Sequence, residues 1–181
     1  EQHLQELPTR CYGTYGMTET VSHIALREIN GERKSSAYFA LGKVSFSTDE
    51  RGCLIINTPH LQQQRFITND IVQLVDTTHF EWLGRHDNVI NSGGVKLFPE
   101  SIEARIASFL SQRFFITAED DCRLGQKAVL VIESLPWDEA ECQQLLSRLK
   151  SCLSPYEVPK NIYFQEHFTE TYSGKIVRKI K

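Results

Sequence analysis

The sequence GRHDNVINSGGVKLFPE, at residues 84–100, separates two parts of the chain that differ in their apolar pattern. Before it, short runs of the β type alternate with turn residues. After it, segments with helical periodicity alternate with strands. We therefore predict a β-rich domain at residues 1–85 and a compact α+β domain at residues 86–181. The predicted fold class is α+β.

The first part contains six runs with β character, which are RCYGTYG, VSHIALREI, GKVSFS, GCLIINT, DIVQLVD and HFEWLG. Residues 49–52 predict a hairpin turn, because Gly52 tolerates the positive φ that ends such loops. The earliest strands have no preceding partners in this chain, so we expect an exposed sheet edge.

The second part alternates helices and strands. Pro99 is suited to the first turn of a helix, and Ile102, Ile106, Phe109 and Leu110 follow it at helical spacing. RFFITAED and KAVLVIES predict two strands around a turn at residues 123–125. Asp138 is expected to cap a second helix. The apolar face of that helix comprises Cys142, Leu145, Leu146, Leu149 and Leu153. A strand, NIYFQ, and a short basic tail follow.

Composition narrows the class of partner. The 181 residues carry a net charge of −3, which gives no reason to expect nucleic acid or an anionic membrane as partner. The five cysteines form no C-x-x-C pair, so neither a zinc site nor a disulfide framework is predicted, and a cytoplasmic protein is expected. The sequence has neither a signal pattern nor a membrane-spanning apolar run. We expect a small-molecule partner. The start without methionine suggests a missing upstream part.

The stretch YGMTET at residues 15–20 is the first candidate site. Gly13 and Gly16 let the backbone approach a ligand, and Thr18 offers a hydroxyl. Glu19 could hold magnesium, which is satisfied by one or two carboxylates together with phosphate oxygens. A glycine-rich strand end with an exposed acid explains the hexapeptide equally well.

The stretch FITND at residues 66–70 is the second candidate site. Asp70 could accept hydrogen bonds from the vicinal hydroxyls of a ribose, as carboxylates do in nucleotide sites. Taken alone, Thr-Asn-Asp is more often a simple turn.

The junction at residues 84–100 is the third candidate site. A charged segment between domains can act as a hinge, and the turn at Ser92, Gly93 and Gly94 lets main chain approach a narrow ligand such as a pantetheine arm. A hairpin entering a helix also explains the glycines and the proline, but not the Gly-Arg-x-Asp pattern.

The fourth stretch is YSGKIVRK at residues 172–179. Lys175, presented on a glycine turn, is a mobile charge that can approach two anions at once. For a lone lysine near a C-terminus a solvated basic tail is the commoner explanation.

In this order the four stretches resemble the motifs of the adenylate-forming ANL superfamily, which contains acyl-CoA synthetases, peptide-synthetase adenylation domains and luciferases. The Y-G-x-T-E motif matches residues 15–19, T-G-D matches residues 68–70, G-R-x-D with its glycine loop matches residues 84–94, and S-G-K-I-x-R matches residues 173–178. Specificity comes from the ordered set, which covers nearly the whole chain.

The resemblance implies a two-step reaction. A carboxylic acid and ATP, with Mg²⁺, give an acyl-adenylate and pyrophosphate, and the thiol of coenzyme A then displaces AMP. It also implies roles: Thr18, with Tyr15 and Gly16, serves the nucleotide phosphate, Glu19 the metal, and Asp70 and Arg85 the ribose. Asp87 is the implied hinge, Lys175 acts in adenylation, and Gly93 and Gly94 face pantetheine in the second step.

Some family features differ or are absent. Asn69 stands where the family usually has glycine, and Thr169 and Glu170 stand where a proline and a basic residue usually precede the S-G-K turn. No Ser/Thr/Gly-rich phosphate loop ending in lysine occurs in the sequence. We therefore expect a C-terminal fragment that is inactive alone: the last, β-rich part of a large adenylation domain, followed by the small mobile domain.

The run TVSHIA at residues 20–25 is similar to that of the o-succinylbenzoate CoA ligases of menaquinone synthesis. Hydroxyls of Thr20 and Ser22 suit a carboxylated aryl acid better than an alkyl chain. The alternatives are another acyl-CoA synthetase, a peptide-synthetase adenylation domain, and a non-catalytic module that binds nucleotide or CoA. A homodimer is one state open to the complete enzyme.

Overall fold

The computed structural model describes residues 4–172 and 174–180, and the chain divides into two compact units, Glu1–His86 and Asp87–Lys181. The division falls inside the glycine-rich junction, where the sequence pattern changes. Both units are strand-rich and contain few helices, so the predicted α+β class is confirmed.

The first unit is one antiparallel sheet of seven strands in the order β1-β2-β3-β7-β6-β5-β4. The strands are β1 Tyr12–Gly16, β2 His23–Glu28, β3 Ala37–Ala40, β4 Ser45–Thr48, β5 Cys53–Asn57, β6 Arg65–Leu74 and β7 His79–Arg85. β1 and β4 lie at the two edges, and the sequence predicted the edge position of the earliest strand, β1.

The core of this unit gathers around Phe80 on β7, whose side chain is fully buried. The Phe80 ring contacts Phe46 edge-on at 4.8 Å and stacks on Tyr38 at 5.4 Å. The predicted hairpin at residues 49–52 joins β4 to β5. Asp49 Oδ1 accepts hydrogen bonds from the amides of Arg51 and Cys53, and Gly52 adopts φ +82°.

Two features of this sheet differ from the sequence prediction. β3 was not predicted, because residues 37–40 form a short run whose pairing partners on β7 are about forty residues away. Thr68, Asn69 and Asp70, which in isolation suggested a turn, lie inside the ten-residue strand β6. Pairing on both sides, with β5 and β7, outweighs their local turn preference.

The second unit contains two helices and a five-stranded sheet, with a large core cluster and a smaller one around Phe115, Val131 and Phe168. Its elements are β8 Ile90–Ser92, β9 Val95–Leu97, α1 Pro99–Ile106, β10 Phe114–Asp121, β11 Gly125–Glu133, α2 Glu139–Leu149 and β12 Ile162–Gln165. The order is β10-β11-β8-β9, and β12 pairs in parallel with β11.

The helices begin where the sequence predicted. Pro99 is in the first turn of α1, and Asp138 caps α2 by accepting a hydrogen bond from the Glu141 amide at 2.8 Å, while Glu141 returns one to the Asp138 amide. Of the predicted face of α2, Leu145 and Leu149 are buried in the core, and Leu153 joins them just after the helix.

The chain beyond β12 is a folded hairpin. Glu170 and Ile176 form a β-bridge, and Ile176 packs beside Phe115, Val131 and Phe168. Ser173, part of the S-G-K motif, lies outside the described residues. Among residues 4–172 and 174–180, no helix has both the length and the apolar character that membrane crossing requires.

Candidate functional site

Three predicted residues of the first unit, carried by β1, β6 and β7, are in contact with one another. The Tyr15 hydroxyl on β1 donates a hydrogen bond to Asp70 Oδ2 at 2.6 Å. Arg85 Nη1 lies 3.3 Å from Asp70 Oδ1, because Asp70 and Arg85 are paired across β6 and β7. Both carboxylate oxygens are thus held, while half of the Arg85 side chain remains exposed.

The Tyr15 ring is fixed by aromatic packing. It contacts Phe80 edge-on at 5.1 Å and Tyr38 at 5.8 Å. Burial and the hydrogen bond to Asp70 raise the pKa of Tyr15 well above its ordinary value near 10. The phenol therefore stays a neutral donor, and the Asp70 carboxylate keeps a fixed direction.

The turn that follows β1 exposes two of the predicted residues and buries a third. Thr18 and Glu19, in a 3₁₀ turn at Thr18–Thr20, are exposed. Thr20 is 4% exposed. Its hydroxyl bonds the carbonyls of Met17 and Ser22 and accepts from the Met17 amide. The predicted hydroxyl of Thr20 is thus engaged in shaping the turn, whereas Ser22 is exposed.

The chain turns sharply at Val21, the one non-glycine residue in the described part of the chain with positive φ, at +66°. The Ser22 amide bonds the Thr20 carbonyl at 2.7 Å, which makes a strained γ-turn. Gly16 makes this path possible, since a Cβ there would lie 2.6 Å from the Ser22 carbonyl oxygen and 2.7 Å from His23 Cα. The sharp turn leaves Thr18 and Glu19 exposed directly after the end of β1.

An open cavity of about 280 Å³ lies next to this turn. It has an apolar floor and a polar rim, and is lined by His23, Ile24, Leu41, Gly42, Lys43, Val44 and His60. No sequence motif pointed to Lys43 or His60. Both residues are far from His23 in the sequence. Their proximity to it depends on the packing of two separate loops and could not be predicted from local patterns.

In the second unit, Gly93 and Gly94 form the exposed turn between β8 and β9, at φ +59° and +83°. The Gly93 amide bonds the Leu124 carbonyl at 2.9 Å. A Cβ on Gly93 would come within 3.1 Å of Leu124 Cδ2, whereas one on Gly94 would meet nothing within 4 Å. Main chain at Gly94 is therefore open to a narrow ligand.

Asp87 and Lys175 are both exposed residues of the second unit. Asp87 lies in a 3₁₀ turn at His86–Asn88, and the next residue, Asn88, donates a 2.5 Å hydrogen bond to Glu100 on α1. Lys175 follows Gly174, which has φ +75°. Its side chain projects from the terminal hairpin and is not folded into the core of its unit.

The predicted residues thus fall into two groups. Tyr15, Asp70 and Arg85 are in contact, and the Thr18–Thr20 turn begins two residues after the strand that carries Tyr15. Gly93, Gly94 and Lys175 belong to the second unit. Within the described ranges, no group of three or more His, Cys, Asp or Glu side chains could hold a metal, so Glu19 would need other oxygen ligands.

Comparison with known proteins shows that this chain is similar to AMP-forming acyl-CoA synthetases. No family model matches the chain. It is 28% identical to a 2-succinylbenzoate–CoA ligase of Lactococcus lactis, over 97% of this chain and 42% of that protein.

Comparison with solved structures also finds similarity to an acyl-CoA synthetase. An acyl-CoA synthetase (AMP-forming)/AMP-acid ligase II-like protein from Dyadobacter fermentans is 42% identical with a TM-score of 0.50, over 98% of this chain and 51% of that one. The o-succinylbenzoate coenzyme A synthetase of Bacillus subtilis, solved with ATP and magnesium, shares the fold at a TM-score of 0.71 and 19% identity, over 98% and 42% of the two chains. The chain thus spans about two fifths to one half of the length of these proteins.

Proposed function

We propose that this chain is the C-terminal part of an AMP-forming acid:CoA ligase that first adenylates a carboxylic acid and then transfers the acyl group to coenzyme A. The observation that carries the proposal is the Asp70 carboxylate, held between Tyr15 and Arg85 beside the exposed turn with Thr18 and Glu19. The sequence relatives, which are ligases of this class, support it.

In the first half-reaction a carboxylate oxygen of the acid attacks the α-phosphorus of ATP, and pyrophosphate leaves with the electron pair of the broken P–O bond. Asp70 would accept hydrogen bonds from the ribose hydroxyls, since its oxygens are aimed by Tyr15 and Arg85. The Thr18 hydroxyl would bond an α-phosphate oxygen. Glu19 would be a ligand of Mg²⁺, which neutralises phosphate charge when bound.

Lys175 would stabilise the charge that develops when the acid and the α-phosphate, both anionic, come together. In the second half-reaction the thiol of coenzyme A gives up its proton to solvent, its sulfur attacks the acyl carbonyl, and AMP leaves with the electron pair of the broken C–O bond. The open main chain at Gly93 and Gly94 would line the path of the pantetheine arm. Asp87, at the division between the units, is the proposed hinge.

We further propose that the acid is a carboxylated aryl acid of the o-succinylbenzoate type. Ser22 is exposed beside the cavity, and Lys43 offers the rim a positive charge that suits a second carboxylate. The apolar floor, which includes Ile24 and Val44, suits a ring. Ser22 is favoured over Thr20 as the direct contact, because the Thr20 hydroxyl is buried, whereas the Ser22 hydroxyl, 3.1 Å from His23 Nδ1, is exposed.

The test uses the complete protein with a panel of aryl, alkyl and amino acids. Pyrophosphate release should be fastest with a dicarboxylic aryl acid. Lys175→Ala should slow adenylation by about 100-fold or more and leave thioester formation from supplied acyl-adenylate within about twofold. Lys179→Ala, at an exposed neighbour, is the matched control. Equal loss of both half-reactions would contradict the role of Lys175, and preference for an alkyl acid would contradict the aryl assignment.

A further inference from the structure

The turn that presents Lys175 is closed by hydrogen bonds among its own residues. The Thr171 amide bonds the Lys175 carbonyl at 2.8 Å, the Gly174 amide bonds the Thr171 carbonyl at 2.9 Å, and the Lys175 amide bonds the Thr171 hydroxyl at 3.1 Å. Such a turn fixes the Cα of Lys175 relative to the hairpin. It does not fix the hairpin relative to the rest of the unit, so other contacts must do so.

One anchor of the hairpin involves Glu170, which precedes the turn in the chain. Arg113 pairs with Glu170 and also lies 3.4 Å from Glu133. Its guanidinium stands 5.8 Å from the centre of the Phe168 ring. Arg113 and Glu170 are 49% and 40% exposed, however, and an exposed ion pair contributes little because water and salt screen it.

The second anchor follows Lys175 in the chain and makes more hydrogen bonds. Arg178 binds both carboxylate oxygens of Glu103 on α1, at 2.5 Å and 2.8 Å. Arg178 also donates to the Ile116 carbonyl at 3.1 Å, while Glu103 accepts from the Ile116 amide at 2.7 Å. The two side chains therefore occupy both main-chain polar groups of one residue of β10, and tie the end of the chain to a helix and a strand.

Burial makes this pair costly to break. The Arg178 and Glu103 side chains are only 25% and 18% exposed. Burial raises the pKa of the Glu103 carboxyl, and the guanidinium of Arg178 opposes the shift. A second carboxylate, Glu100, lies 3.9 Å from Arg178 and accepts the hydrogen bond from Asn88. Without Arg178, two half-buried carboxylates would face each other with no cation between them.

We propose that Arg178 and Glu103 are positioning residues for Lys175: their two-point ion pair holds the terminal hairpin at one place on the small unit, three residues from the lysine. This deepens the proposed function and rests on it. A flexible ammonium gains most when its backbone is fixed, since the bound geometry then needs only side-chain rotations. The proposal concerns adenylation alone, because that is the step assigned to Lys175.

The experiment compares Arg178→Gln, Arg178→Lys and Glu103→Gln in the complete protein, with Lys179→Gln as the exposed neighbour control. Glu103→Gln keeps an acceptor for the Ile116 amide but loses the charge, so it separates the ion pair from the main-chain bond and serves if Arg178→Gln folds poorly. We expect each of the three to lower the kcat of adenylation about 10- to 100-fold. Thioester formation from supplied acyl-adenylate should stay within about twofold of wild type.

Arg178→Lys should not restore the wild-type rate of adenylation, because an ammonium cannot make the two parallel hydrogen bonds. A second readout needs no catalysis: amide hydrogen exchange of the hairpin, including the Val177 amide that bonds the Thr169 carbonyl, should accelerate about tenfold or more in the three variants and not in the control. Equal loss of both half-reactions, or unchanged exchange in the hairpin, would overturn the proposal. If the wild type adenylates no acid at all, the proposed function fails, and hairpin exchange alone then decides whether the pair anchors the hairpin.

Discussion

Replacing Tyr15 with phenylalanine removes one oxygen and leaves the aromatic packing around Phe80 intact. That oxygen donates the 2.6 Å hydrogen bond to Asp70, whose side chain is 15% exposed. Hydrogen bonds to charged groups are worth about 1.5–3 kcal/mol, and a buried acceptor that loses its partner keeps its desolvation cost. Arg85, 3.3 Å from the other carboxylate oxygen and 46% exposed, compensates little.

We therefore expect Tyr15→Phe to lower the free energy of unfolding of the first unit by about 2 kcal/mol, or about 30-fold in the unfolding equilibrium constant. The assay is urea denaturation followed by tryptophan fluorescence. Trp82 lies in the first unit and Trp137 in the second, so a Trp137→Phe background reports the first unit alone. Tyr38→Phe is the matched control, because its ring also packs on Phe80 and its hydroxyl makes no hydrogen bond to the described residues.

The pH dependence gives a second check. The pKa of Tyr15 is raised in the folded state, so the phenol stabilises the fold below its unfolded pKa near 10, and this contribution is lost as pH rises above 10. The stability gap between wild type and Tyr15→Phe should be constant from pH 7 to about 9.5 and shrink above pH 10. A variant as stable as Tyr38→Phe, or a gap that does not shrink, would refute the reasoning.

Three further predictions concern the turns. Gly16→Ala places a Cβ against the main chain of Ser22 and His23 and must displace the turn. Adenylation by the complete protein should therefore fall about 100-fold. Gly13→Ala is the control: its Cβ meets only side chains, so the adenylation rate should stay close to that of the wild type. Gly94→Ala, at φ +83° with open space around it, should cost about 1 kcal/mol of stability and slow thioester formation from supplied acyl-adenylate about tenfold while sparing adenylation; equal slowing of both steps would contradict the pantetheine path. Asp121 accepts hydrogen bonds from the amides of Arg123 and Leu124, which lower its pKa, so its contribution is present above the ordinary value near 4 and is lost as pH falls through the folded value. Thermal melting of the second unit should therefore depend less on pH between about 2 and 4 in Asp121→Asn than in wild type, and parallel curves would count against it.

Local signals were sufficient for much of the fold. Asp138 at the start of α2, the proline at the start of α1 and the glycine that ends the β4–β5 hairpin act over a few residues, and the sequence predicted all three, although not the bond between Glu141 and Asp138. The strand β3 was not predicted, because its four residues carry no alternation of their own and depend on distant pairing with β7. Thr68, Asn69 and Asp70 carried a turn preference that two neighbouring strands overrode.

The candidate site divides in the same way. Sequence motifs named Tyr15, Asp70 and Arg85 individually, but not the bond between the first two, which joins residues 55 apart. The pairing of Glu103 with Arg178 spans 75 residues and has no sequence signal beyond two ordinary charges. Such contacts are products of strand register and helix packing, which one sequence does not reveal.

In this chain β1 lies at an edge of its sheet, and this position would give the proposed nucleotide recognition a mechanical aspect. A strand with hydrogen-bonded neighbours on one side only undergoes local opening more readily than an interior strand, and β1 carries the phenol that aims Asp70. A nucleotide engaging Asp70 would bind only the closed form, so occupancy would slow amide exchange along β1 before it altered any interior strand. An edge strand of this chain would then serve as the sensor of an occupied site.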